Sequence, residues 1–271
     1  MSSPKPNRRR RLLQVRTPVS PMQALISSIG IWVVFFGGWI FATSMGWVNP
    51  ILVPSPAQVF RSIYLLFAND GFASDVLISV GRVLFAFALA CLVAVPTGVA
   101  MGAFPAIDAV LAPFVSAWRY LPAPSFIPIL LMWFGTGEEP KIALLFLGVI
   151  FFLITLIADH TKEVRKELIE TAMTLGAGRS ITVFQVMLPA VLPNILVAMR
   201  QMLAVVWTYL VIAEIVASTT GIGAMMMRAR RFLHTDQIMG GIIVIGALGL
   251  IFDRLFAVLH RRLFPYLQDS R

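Results

Sequence analysis

Long apolar runs alternate with short polar or proline-rich breaks along most of this chain. About 20 consecutive apolar residues reach across a bilayer core of roughly 30 Å, so the runs read as membrane-spanning helices. They cover about 25–45, 77–103, 109–134, 141–158, 194–217 and 238–259. Six passes predict an all-α integral membrane protein. The third run is interrupted by Pro113, Pro122, Pro124 and Pro128. Each proline removes a backbone donor, and broken backbone at membrane depth is tolerated only inside protein or beside an aqueous cavity. The segment 119–128, RYLPAPSFIP, reads either as the lining of a pathway or as a kinked packing helix. Residues 57–68 carry apolar positions at helical spacing, as expected for a short helix at the membrane interface. Gly98 and Gly102 form a GxxxG pair in the second run, a weak signal for a close helix contact.

Composition agrees with this pattern. The 271 residues are 58% hydrophobic and 13% charged, where a soluble domain carries about 25% charge. Mean hydropathy is +0.85. Ala42-Thr43-Ser44 resembles a signal cleavage site. The apolar run before it exceeds the ~7–15 residues of a signal-peptide core, so a retained anchor is expected. The lone Cys91 excludes an internal disulfide framework, and His160, His234 and His260 follow no metal-ligand spacing.

The net charge of +9 admits nucleic acid as a partner, but its distribution follows the membrane. Of 22 Lys and Arg, 14 fall before the first span, between the fourth and fifth, or at the end of the last, against five on the other side and three within spans. An excess of cations on one side marks it as cytoplasmic, which places both termini inside and leaves no role for nucleic acid. Residues 1–21 are then a basic cytoplasmic tail and 22–271 a single transmembrane domain. Arg228, Arg230 and Arg231 run against this trend.

The chain contains no phosphate loop, no H-E-x-x-H, no G-x-S-x-G and no pair of intramembrane carboxylates. It is read as a transport subunit, not an enzyme, with no cofactor of its own. Uphill movement would draw on another subunit.

One stretch breaks the apolar pattern most sharply. Residues 162–189, KEVRKELIETAMTLGAGRSITVFQVMLP, combine charge, helix-forming residues and a Gly-Ala-Gly break. A helix is expected over 162–175, with a second piece over 180–187 closed by Pro189 before the next span. Glu170, Thr171, Ala172, Gly176, Val186, Leu188 and Pro189 stand at spacings that resemble the EAA loop of ATP-binding cassette importer permeases. Thr171 and Val186 depart conservatively from that family's Ala and Ile. Ser79-Val80-Gly81-Arg82, the 119–128 segment, Trp133-Phe134-Gly135 and the series Arg200, Trp207, Glu214, Gly221, Gly223 resemble its nitrate, sulfonate, taurine and bicarbonate branch.

The resemblance implies a type I importer (MetI-like) transmembrane domain of about six spans in the bacterial inner membrane. It implies a second permease copy as homodimer partner, two ATPase subunits holding ATP and Mg at the 162–189 loop, and an extracytoplasmic substrate-binding protein. Glu170, Thr171, Ala172, Gly176, Leu188 and Pro189 would then couple to the ATPase. Arg82, Arg119 and Arg200 are expensive in a bilayer and face Glu214 as the clearest intramembrane anion. They either pair with it and with helix-end carbonyls, or line an anion path together with Pro122, Pro124, Trp133 and Trp207. A neutral or heterocyclic cargo, an ATP-independent secondary transporter and an intramembrane enzyme are the competing readings. No ion-coupling or catalytic constellation is visible for the last two.

Overall fold

The computed structural model describes residues 20–267, so what is expected of residues 1–19 and 268–271 lies outside the described residues. All regular structure among the described residues is helical. The chain divides at Arg61 and Ser62 into two compact units.

In the first unit, α1 (Pro21–Ser44) starts where Ser20 Oγ accepts the Gln23 N–H at 3.3 Å and Pro21 takes the first helical position. Its apolar residues point in all directions and stay exposed, Trp32, Val34 and Ile40 among them, as on a helix whose solvent is lipid. The α2 helix (Pro56–Asn69), which the unit boundary cuts, opens with a reciprocal cap. Ser55 N–H donates to Gln58 Oε1 at 2.8 Å while Gln58 N–H reaches Ser55 Oγ at 3.4 Å.

The second unit is built on α3 (Phe72–Ala103), α6 (Glu139–Lys162) and α9 (Leu188–Ala217). Ala86, Ala90, Leu145, Val149, Leu153, Val206 and Leu210 are buried between them. Small residues set the spacing of α3 and α6. A Cβ on Gly98 would stand 2.7 Å from Ile157 Cβ, and one on Gly102 would overlap Thr161, so the GxxxG pair is a true contact surface. Gly148 likewise makes room on α6 for the Tyr209 ring of α9.

Five helices among the described residues are long and apolar enough to cross a membrane: Met22–Ser44, Phe72–Ala103, Glu139–Lys162, Arg179–Val216 and Thr235–Leu263. The expected third span is not one helix. It is divided into α4 (Pro105–Arg119), a 3-10 turn (Ala123–Phe126) and α5 (Ile127–Phe134). Pro122 and Pro124 cannot donate to a continuous ladder, and Pro122 turns to extended backbone with ψ 113°.

Two further expectations are corrected. The stretch 218–237, which the expected spans leave as a connection, contains α10 (Ile222–Arg231), whose Ile222, Ala224, Met225, Met226 and Ala229 are buried; α11 (Thr235–Leu263) follows. Ten residues are too few for a span, so a search for long apolar runs passes over this helix. Pro189 also does not close a helix. The three residues of α8 (Arg179–Ile181) lead into a π-helical segment (Thr182–Met187) that continues directly into α9. Leu188 N–H reaches Val183 O, a five-residue step. The wider turn lies just ahead of Pro189, which has no N–H to give.

Candidate functional site

The polar segment between α6 and α9 folds as a short exposed hairpin. α6 ends at Lys162, and α7 begins only at Lys166 instead of continuing from 162 as expected. None of the nine residues of α7 (Lys166–Thr174) is buried. Arg165 leaves helical backbone there, with ψ 126°.

The end of α7 explains part of the sequence spacing. Gly176 takes φ 87°, Gly176 N–H donates to Met173 O at 3.0 Å, and Ala177 N–H donates to Ala172 O at 3.0 Å. These are the two bonds of a Schellman cap, which puts a left-handed residue just past the helix end and a contact between the flanking positions. Ala172 and Gly176 are therefore spaced by helix termination. Glu170 and Thr171 stay exposed, and Thr171 Oγ1 bonds back to Glu167 O at 2.6 Å.

α7 presents two apolar faces. Ile169 and Met173 turn toward a cavity of about 300 Å³ bounded by Gly102, Thr161, Arg179 and Met187. Leu168 and Leu175 face outward, Leu175 at 83% exposure. Leu188 is half-buried and Pro189 exposed at the start of α9. Lys162 Nζ holds Asp108 Oδ2 of α4 at 2.7 Å, tying α6 to α4 beside this hairpin.

At the opposite end of α3 and α6 lies a buried charge network. Arg82, on α3 and 4% exposed, uses all of its donors. Nε and Nη2 reach the Glu138 carboxylate at 2.5 and 2.6 Å, and Nη1 reaches Glu214 Oε1 at 2.7 Å. Nη1 and Nη2 also take Thr220 O and Oγ1 at 2.9 and 3.0 Å. Glu214 is wholly buried and further accepts Ser79 Oγ at 2.7 Å and Gly223 N–H at 2.8 Å. Gly221, at φ 102°, passes so close that a Cβ would strike Glu214 and Arg82. Asp75 extends the network by accepting Gly221 N–H at 2.6 Å and Arg228 Nη2 at 2.6 Å. Arg228 thus has a carboxylate partner, which accounts for one cation of the cluster that opposed the charge trend.

The Arg82 hydrogen bonds, with Lys141 adding to them, hold the Glu138 carboxyl well below its ordinary range, at about 2. A depressed carboxyl favours the folded state fully above its unfolded value of about 4.5 and loses that effect as pH falls toward 2. The difference in melting temperature between wild type and Glu138→Gln should therefore be constant from pH 7 to 5 and shrink between about 4.5 and 2. A difference that instead grew on acidification would contradict this network.

The other sequence candidates are distributed differently. Arg200 on α9 forms a two-pronged pair with Asp253 on α11, at 2.5 and 2.6 Å. The expected imbalance of three intramembrane cations over one anion is thereby corrected. Arg82 meets Glu214 and Glu138, Arg200 meets Asp253, and only Arg119 has no carboxylate partner among the described residues. Arg119 is half-buried, with its guanidinium 5.6 Å from the Tyr120 ring centre. Pro122 is exposed, Pro124 half-buried, and Trp133 is 70% exposed. Trp207 is buried against Phe252, and its indole N–H has no acceptor among the described residues. The structure does not gather these residues into one site. Sequence reading missed Glu138, Lys141, Asp75 and Asp253. The i,i+3 pairing of Glu138 with Lys141 was the one available local signal.

The described residues thus form an all-helical membrane unit with one protruding polar hairpin. Residues 94–265 match the family described as binding-protein-dependent transport system inner membrane component, and the chain belongs to that family. It is an ATP-binding cassette importer permease, a multi-pass protein of the bacterial inner membrane, in the nitrate, sulfonate, taurine and bicarbonate branch.

The chain is 33% identical to the taurine transport system permease protein TauC of Escherichia coli K12 over 94% of both chains. It is 29% identical to the putative aliphatic sulfonates transport permease protein SsuC of Bacillus subtilis, over 88% of this chain and 84% of that one. The inward-facing MetNI methionine ABC transporter shares the fold with a TM-score of 0.63 at 18% identity, over 70% of this chain and 95% of that chain.

Proposed function

We propose that this chain is the permease subunit of an ATP-driven importer that carries a small anion, of the taurine, sulfonate, nitrate or bicarbonate kind, delivered by an extracytoplasmic binding protein. The observation that carries this reading is the end-to-end similarity to a taurine permease, with 94% of both chains aligned. In this reading α7 docks on the ATPase. Glu170, Thr171, Ala172 and Gly176 form or terminate the docking helix, and Leu188 and Pro189 fix the start of α9 behind it. Two permease copies pair, and two ATPases with ATP and Mg drive them. Closure of the ATPases moves both α7 helices and tips the bundles as rigid bodies between inward-open and outward-open states. The broken segment at Pro122 and Pro124, with Arg119 and Trp133 beside it, lies along the path in each copy.

The test is reconstitution of this chain in lipid vesicles with its cognate ATPase and binding protein. Uptake of labelled taurine should require ATP and the binding protein, and other sulfonates should compete. Uptake of a solute without an anionic group in its place would overturn the anion assignment, and uptake without ATP would overturn the importer class.

A further inference from the structure

One carboxylate serves two buried cations. Lys141, at the start of α6, is 4% exposed, and its ammonium has one acceptor among the described residues, Glu138 Oε1 at 2.9 Å. An ammonium carries three donors, so two have no protein acceptor. Arg82, equally buried, spends Nε and Nη2 on the same carboxylate.

Glu138 is held differently from its neighbour Glu214. Glu214 is fully buried and fixed by Ser79 and Gly223 as well as by Arg82. The Glu138 side chain is 52% exposed, and among the described residues its oxygens accept hydrogen bonds from Arg82 and Lys141 alone. It also sits on the loop Gly135-Thr136-Gly137, where Gly135 has φ 73° and ψ −153°, a region open in practice to glycine alone. The free space beside Lys141 is a cavity of about 10 Å³ bordered by Ile127, Leu130, Leu144 and Ala213. That is about one water's worth of room. A larger anion reaches these cations only when Glu138 withdraws, and its exposure leaves it a way out.

We propose that Arg82 and Lys141 form an oxoanion site, for a sulfonate or carboxylate head, in which Glu138 is an internal stand-in ligand that yields to the transported anion. This rests on the anion-importer reading above and deepens it. Exchange of one monoanion for another keeps both buried cations paired, which avoids leaving a buried charge uncompensated. The planar guanidinium fork matches two oxygens of the incoming head, and the ammonium takes a third.

The test uses the purified full-length permease in lipid nanodiscs, with methanesulfonate as the probe and chloride at equal ionic strength as the reference. Glu138→Gln should melt below wild type in chloride. Methanesulfonate should restore it, with a half-saturating concentration about tenfold below that of wild type, a shift of about 1.4 kcal/mol. Adding Lys141→Met to Glu138→Gln should abolish the methanesulfonate effect. Equal half-saturation for wild type and Glu138→Gln, or no methanesulfonate-specific stabilisation of either, overturns the proposal. Taurine uptake by the reconstituted wild-type importer separates the two readings. Uptake without a methanesulfonate effect removes this site and leaves the function. Tighter methanesulfonate binding by Glu138→Gln without taurine uptake supports the site and counts against the proposed cargo.

Discussion

Replacing Glu214 by alanine should destabilise the protein by about 3–5 kcal/mol, the scale of removing one partner from a buried ion pair. Glu214 is fully buried and ties three segments together: α3 through Ser79 and Arg82, its own helix α9, and the start of α10 through Gly223 N–H. The truncation strips an acceptor from Ser79, Arg82 and Gly223 and leaves Arg82 with charge on one side only. Gly221 and Gly223 approach so closely that bulk elsewhere cannot fill the gap without moving backbone. Glu214→Gln should fall between alanine and wild type, because the amide oxygen still accepts from Ser79 or Gly223 while the charge is gone. Thermal unfolding in detergent reads the series. A Glu214→Ala protein within about 1 kcal/mol of wild type would show that the network contributes little to the fold.

The second large effect is expected at Gly176, where stability and transport should separate. No atom lies within 4 Å of a Cβ built there, and the position is exposed, so a side chain can leave Gly176 without a clash at its first atom. The left-handed φ of 87° costs an L-residue about 1–2 kcal/mol, a local strain at an exposed hairpin. A docked ATPase would meet the indole. Transport should therefore drop by roughly 30-fold, the scale of losing about 2 kcal/mol at an interface hot spot. Asn tolerates the left-handed region, so Gly176→Asn keeps the Schellman cap with little added bulk. It should transport close to wild type. Equal losses for Trp and Asn would assign the effect to the cap and remove the docking interpretation; unchanged transport for Trp would remove it as well.

Much of the fold was legible because lipid imposes a simple rule. Backbone groups must be satisfied inside each segment, so spans appear as apolar runs of helical length. α1, α3, α6 and α11 follow that rule within a few residues. The exceptions have local causes. The run 109–134 is largely apolar, with Arg119 its one charged residue, yet prolines divide it into α4 and α5. α10 is too short and too polar at its end to register as a span, although its Met225 and Met226 face is buried. The junction at Pro189 is continuous because a π segment absorbs the missing donor, an option that a proline in sequence does not reveal.

Among the site residues, spacing along one helix was readable and pairing across helices was not. The interval from Ala172 to Gly176 is a local cap, formed within six residues, and it stands out in the sequence for that reason. Arg82 and Glu214 are 132 positions apart, and Arg200 and Asp253 are 53 apart. Which carboxylate neutralises which cation depends on how α3, α6, α9 and α11 are set side by side. Small residues such as Gly98, Gly102 and Gly148 determine that spacing through contacts a linear reading cannot assign. The chain by itself determined a membrane bundle with one exposed polar hairpin, because hydrophobic length and helix capping are local properties. Only the tertiary structure decided that Arg82 and Lys141 share the half-exposed Glu138, because charge pairing in a low-dielectric interior is a property of neighbours in space.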